Sequence, residues 1–260
     1  MKVRGFVIFG IVALIAGGSI AAYAATREDF ELKKYSKEDV TINEVTYATT
    51  DLSKIYLDVK TDTVEILSEN RENILIQNKT FDDLSYTINL ENNELSIIEN
   101  NNSKWFDFIR FEHLGKLHAF NSIPLVIKVP ETLKVFYDID VSAGTIKAAN
   151  INASRIKVHA SAGTVKLNNV KAEEANIDVS AGTVKIENAI VNDVTAHVSA
   201  GTCIYTGEIK EKGTFDVSAG TINLKFLDAQ ENYTVNGVGT GSVKITGTKS
   251  AGTFTYSFNN

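Results

Sequence analysis

The sequence predicts an all-β protein: a single-domain parallel β-solenoid of 19-residue coils, preceded by an N-terminal signal peptide or membrane-anchor helix. Two observations carry the solenoid. Ser-Ala-Gly-Thr begins at Ser142 and returns at Ser161, Ser180, Ser199 and Ser218, always 19 residues after the last. Self-similarity at a fixed period marks a repeat architecture. Within each unit the apolar residues alternate, with Ile146, Val165, Val184, Cys203 and Ile222 after the threonine and Ala148, Leu167, Ile186, Tyr205 and Leu224 two residues later. A period of two means a strand with one buried face. No unit can hide that face alone, so the units stack as coils about 4.8 Å apart, and equivalent positions become vertical columns.

Taken in order, Met1 to Arg4 supply two basic residues ahead of an apolar run from Gly5 to Ala25. The basic start, the core Phe6 to Ala16 and Ala22-Tyr23-Ala24 fit a signal peptide cleaved after Ala24. Roughly twenty nearly uncharged residues are equally suited to span a bilayer as an uncleaved anchor. Either reading exports the rest. Residues 26–47 are polar and charged and read as a spacer, with a first strand at its end. The solenoid is expected over 48–258, with irregular coils over 48–138 and regular 19-residue coils over 139–258. A degenerate copy of the repeat, Leu57-Asp-Val-Lys-Thr-Asp-Thr-Val-Glu-Ile66, aligns with Ile139-Asp-Val-Ser-Ala-Gly-Thr-Ile-Lys-Ala148. Asn92-Asn93 between two alternating runs predicts a hairpin turn.

The columns set up specific expectations. Gly144, Gly163, Gly182, Gly201 and Gly220 fall at a corner between strands, where glycine takes a positive φ without strain. Asn150, Asn169 and Asn188 mark the opposite turn and form a hydrogen-bonded ladder. Cys203 lies on an inward face and reads as a small buried apolar group. Lys147, Lys166 and Lys185 stack in one outward column, a solvated face or a site for a polyanion such as an envelope polymer. Asp140, His159, Asp178, His197 and Asp216 alternate in another, placing each imidazole between two carboxylates. His159, His197 and Asp178 are also weak candidates for a Zn²⁺ site, although side chains in a straight column converge poorly into a tetrahedron. Trp105, Phe106, Phe108 and Phe111 gather in seven residues and read as a cover for an open solenoid end, or as a contact for lipid or a partner protein.

Composition narrows the function. A net charge of −6 disfavours nucleic acid as a partner. One cysteine in the whole chain leaves no internal disulfide framework. There is no Gly-x-Ser-x-Gly, His-Glu-x-x-His, Walker or EF-hand motif, and no cofactor is implied. The glycan-cleaving chemistry that other β-helices perform needs paired acids on one face, and Asp140, Asp178 and Asp216 have no second carboxylate column beside them.

The order of polar spacer, Asp-Val-Lys-Thr-Asp-Thr-Val-Glu-Ile, aromatic insertion, Leu-Val-Ile-Lys-Val-Pro at 125–130 and serial Ser-Ala-Gly-Thr-[Ile/Val]-Lys resembles the bacterial putative adhesin family of β-strand-repeat envelope proteins, a domain of unknown function. The likeness covers roughly residues 36 to 258. Members more often carry Ser-Gly-Asp at the corner, so a role attached to that aspartate does not transfer to Ala-Gly-Thr. The resemblance implies a β-solenoid head, export or membrane tethering, and no catalytic residues. The expectation is therefore a non-catalytic exported solenoid, at the outer face of the cell membrane or in the cell wall and beyond, serving adhesion or scaffolding. The alternative is a membrane-anchored accessory of an envelope-stress response, with a membrane-protein partner. A polysaccharide-active β-helix enzyme is the third reading.

Overall fold

The computed structural model describes residues 41–80, 84–101, 123–229, 232–238, 242–249 and 254–259, all of them within one compact unit. The apolar run at 5–25, the spacer before Thr41 and the cluster of Trp105, Phe106, Phe108 and Phe111 lie outside the described residues. Every described element is a strand. The first part of the chain forms β1 (Thr41–Tyr47), β2 (Lys54–Val59), β3 (Thr63–Glu69), β4 (Ile74–Thr80), β5 (Leu84–Glu91), β6 (Glu94–Asn101), β7 (Leu125–Pro130), β8 (Lys134–Val141) and β9 (Thr145–Ala149). The remainder forms β10 (Asn152–Ala160), β11 (Thr164–Asn168), β12 (Lys171–Val179), β13 (Thr183–Val198), β14 (Thr202–Val217), β15 (Thr221–Ala229), β16 (Asn232–Val238), β17 (Ser242–Lys249) and β18 (Phe254–Asn259).

The repeat builds a parallel β-solenoid. On one face Thr145, Thr164, Thr183, Thr202, Thr221 and Ser242 pair successively through β9, β11, β13, β14, β15 and β17. On the other, Val141, Ala160, Val179, Val198, Val217 and Gly237 do the same through β8, β10, β12, β13, β14 and β16. β13 and β14 run through the asparagine-side corner and belong to both faces. Alternation puts Val165, Leu167, Val170, Ala175, Ile177 and Val179 of a single coil in the interior, each at most 2% exposed. Burying a valine or isoleucine contributes about 1.5–3 kcal/mol, so each added coil is held mainly by this inward row.

The base of the stack is laid down out of chain order. β2 and β3 form a coil beneath β8 and β9, with Leu57 opposite Ile139 and Ile66 opposite Ala148, the register read from the degenerate repeat. Beneath that coil lies a later one, β6 with β2 and β7 with β3. The chain thus skips over its own earlier coil between β7 and β8. Antiparallel strands finish the base: β4 pairs β7, β1 pairs β4, and β5 pairs β6 through a turn whose Asn92 and Asn93 have φ of 50° and 63°.

The positive φ expected at the glycine corner falls instead at the asparagine corner. None of Gly144, Gly163, Gly182, Gly201 and Gly220 has a positive φ; the left-handed residues are Asn150, Asn169 and Asn188, at 58°, 54° and 53°. Glycine is required at the Ser-Ala-Gly-Thr corner because the coils touch there. A Cβ added to any of the five would sit 2.3–2.8 Å from the carbonyl oxygen of the equivalent residue in the coil below. Asparagine tolerates the left-handed region because its short side chain bonds locally, and here Asn169 Nδ2 donates to Asn150 Oδ1 at 2.6 Å. Asn188 Nδ2 instead donates to Asn168 Oδ1 at 3.0 Å.

Candidate interaction surfaces and the capped corner

The outward lysines stand in register, Lys147 against Lys166 and Lys166 against Lys185. The ends of the column are offset by acids: Lys147 lies 3.0 Å from Glu65 of the coil below, and Lys185 lies 2.9 Å from Glu187. Lys166 is exposed and forms no ion pair with any described residue. Like charges about 4.8 Å apart repel by just under ~1 kcal/mol in water, and two such neighbours flank Lys166. One cation in the row is therefore left without an acid beside it among the described residues.

The second outward column contains Asp140, His159, Asp178, His197 and Asp216 in successive register. Each imidazole meets one acid rather than two. His159 Nδ1 lies 3.8 Å from Asp178 and His197 Nδ1 lies 2.8 Å from Asp216, each the acid of the following coil, and neither forms an ion pair with the acid of the preceding coil. The other ring nitrogen of His159, Nε2, lies 3.4 Å from the Ser161 hydroxyl. The sides of these pairs are 34–59% exposed, which limits each to about 0–1 kcal/mol. No group of three His, Cys, Asp or Glu among the described residues converges on a point that could hold a metal ion. The column also extends down to Asp58, which pairs with Asp140. Burial, and then the Asp140 charge, push the Asp58 carboxyl above the usual carboxylate range.

A buried polar cluster lies at the foot of the glycine corner. In each regular coil the corner N–H groups of Ser, Ala and Thr donate to carbonyls of the coil beneath, as Ser161 to Val141, Ala162 to Ser142 and Thr164 to Gly144 at 2.9, 2.7 and 2.9 Å. The corner of the β2–β3 coil is Lys60-Thr61-Asp62-Thr63, and there the side chain of Glu99, on β6 of the coil beneath, supplies the acceptors that backbone carbonyls supply in the regular coils. Its Oε2 accepts from the N–H of Lys60, Thr61 and Asp62 at 2.8, 3.0 and 3.1 Å, and its Oε1 accepts the Thr61 hydroxyl at 2.7 Å. Asp62 occupies the glycine position, pairing beneath Gly144 one residue before Thr63 and Thr145. Asp62 puts a carboxylate where the regular coils have glycine. That carboxylate accepts from Thr63 N at 2.7 Å, from the Tyr86 hydroxyl, and from Lys79 Nζ at 2.7 Å. Lys79 also donates to the carbonyl of Ile123 at 2.5 Å. Asp62, Lys79 and Glu99 are 2%, 1% and 0% exposed. Burial drives the Asp62 carboxyl up, against the opposing pull of Lys79, Tyr86 and the Thr63 N–H, and it drives the Tyr86 hydroxyl up as well, so Tyr86 stays a donor.

The Toastrack DUF4097 family matches residues 52–259. The chain belongs to that family. Among solved structures, a putative lipid binding protein from Parabacteroides distasonis superposes on this Toastrack chain with a TM-score of 0.52 at 14% identity, over 85% of this chain and 97% of that one. A putative adhesin from Parabacteroides merdae gives 0.49 at 15% identity over 85% and 97%. A putative cell adhesion protein from Clostridium sporogenes gives 0.35 at 11% identity over 80% and 100%. At such identity the first likeness speaks for the Toastrack fold and nothing further. Comparison with curated proteins gives no match.

Sequence reasoning missed Asp58, Asp62, Lys79 and Glu99. Glu99 did leave a signal. It follows Leu95 and Ile97 at a spacing of two, so a carboxylate falls on the buried face of β6 and must find donors there.

Proposed function

We propose that this Toastrack domain is a non-catalytic, exported module that presents the threonine and lysine face of its solenoid to an anionic polymer of the cell envelope, for adhesion or scaffolding. The observation that carries the reading is the in-register column of Lys147, Lys166 and Lys185. A linear polyanion carries charge at a short, regular repeat, and so does a stack of coils. Export rests on the apolar run from Gly5 to Ala25 behind Lys2 and Arg4.

The glutamates at both ends of the column concentrate the expected binding on the middle lysine. Retention on an immobilised anionic polymer, followed across a salt gradient, tests this. Lys166→Gln should elute at markedly lower salt than the unmodified chain, and Lys147→Gln or Lys185→Gln should shift it less. Elution of all three variants with the unmodified chain would overturn the reading.

A further inference from the structure

We propose that the Lys79 side chain condenses with the Asp62 carboxyl to form an amide, a covalent cross-link that fastens β4 to the corner between β2 and β3. Lys79 Nζ is 2.7 Å from Asp62 Oδ1, with both side chains 1% exposed. A nitrogen in such contact stands about 3–3.5 Å from the carboxyl carbon, the separation of a near-attack arrangement. The surroundings hold the carboxyl still: Thr63 N donates to Oδ1, and the Tyr86 hydroxyl donates to Oδ2. The Ile123 carbonyl aims the amine from its other side.

The chemistry balances without a co-reactant. Within the buried pair one proton passes from the ammonium to the carboxylate, giving a neutral amine and a neutral acid, a shift that burial favours because it removes two charges from a dry site. The raised Asp62 carboxyl agrees with this direction. The nitrogen lone pair then attacks Cγ, and the Tyr86 hydroxyl carries the charge that develops on Oδ2. A proton moves from nitrogen to the Oδ1 hydroxyl, the C–O bond breaks, and one water leaves as the C–N bond is completed. Nothing is oxidised or reduced. The product replaces a buried ion pair by an uncharged amide and leaves Glu99 on its three backbone donors. It also closes a loop at the end of the stack, where a solenoid has the fewest neighbouring contacts.

Intact mass of the purified full chain, measured after denaturation and referred to its own mature N-terminus, reads the bond directly. The expected mass is short by one water. Trypsin should cut after Arg71 yet leave the peptide Thr61–Arg71 joined to the peptide that begins at Glu72, with no cleavage after Lys79. Lys79→Arg keeps the charge and removes the nucleophile, and it should restore the full mass. A full-mass unmodified chain that cleaves normally after Lys79 overturns the proposal, whether or not the variant folds. A missing water that maps elsewhere, such as to an aspartyl succinimide, or that persists in Lys79→Arg, overturns it too.

Discussion

Replacing Glu99 by alanine should loosen the foot of the solenoid more than any other single polar change. The carboxylate accepts from three successive backbone N–H groups and one hydroxyl at 2.7–3.1 Å while fully buried. Alanine leaves the N–H groups of Lys60, Thr61 and Asp62 without an acceptor, at a cost of about 1–3 kcal/mol for each donor left buried. Neighbouring losses are not additive, and water entering the space relieves part of them, so about 3–5 kcal/mol in total is expected. Glu99→Gln can keep one oxygen on the Oε2 side, near the three N–H groups, and loses chiefly the charge assistance, roughly 1–2 kcal/mol. Urea unfolding of the three proteins should rank them unmodified, Gln, Ala. Solenoid stability is a sum over neighbouring coils, so amide exchange should localise the change, with protection lost at Lys60 to Asp62 and kept at Ser180 to Thr183. A Glu99→Ala protein within about 0.5 kcal/mol of the parent, with those three amides still protected, would refute the carboxylate as the corner's terminal acceptor.

Gly182→Ala places a methyl group 2.4 Å from the Gly163 carbonyl oxygen, and since that oxygen belongs to the backbone the coils must part. A loss of about 1–3 kcal/mol or more is expected in urea unfolding, and an unchanged midpoint would contradict the close approach. At Asn169, with a φ of 54°, Asn169→Ala should cost about 1–2 kcal/mol and Asn169→Gly less, because glycine enters the left-handed region freely; the reverse order in thermal unfolding would contradict the assignment. Asp58 has a folded carboxyl raised by burial and by Asp140, so its proton is held more tightly folded than unfolded. Its ionised form therefore weakens the fold above the raised value, and the penalty disappears as pH falls through that value. Asp58→Asn should accordingly stabilise the protein at neutral pH, with the gain vanishing in acid; a gain independent of pH would point to another cause.

Much of the regular stack was legible because the repeat states its own register. A period of 19 residues and a period of two together place Val165 inward, Lys166 outward and Thr164 beneath Thr183, and a degenerate ten-residue match was enough to pair Leu57 with Ile139. The glycine corner was located correctly but explained by the wrong constraint. Sequence shows that a side chain is excluded there, and both a positive φ and a close contact exclude one. Only coordinates separate them, and they give the positive φ to asparagine. The base was hidden for a different reason. Asp62 lies in the turn between β2 and β3, but its partners Lys79, Tyr86 and Glu99 lie on three strands outside the repeat, and their contacts depend on a coil inserted out of chain order. The histidine column was placed in register, yet its ion pairs are one-sided, each ring meeting the acid of the following coil, a choice of rotamer that the repeat does not state.

The contacts of Asp58, Asp62 and Glu65 with the regular stack depend on the β2–β3 coil lying directly beneath β8–β9, with β6–β7 one level lower. Cysteine pairs in a Cys203→Ala background read that order. Lys147 is the register partner of Glu65, while Val126 pairs with Glu65 from the other side. Adjacent coils are about 4.8 Å apart and alternate coils about twice that, and a disulfide does not form across more than about 7 Å between Cα atoms. Oxidation should therefore join Glu65→Cys to Lys147→Cys within one chain and leave Val126→Cys with Lys147→Cys reduced. Ready closure of the second pair and failure of the first would show that the coils stack in chain order, and the capped corner at Glu99 would fall with the inserted coil.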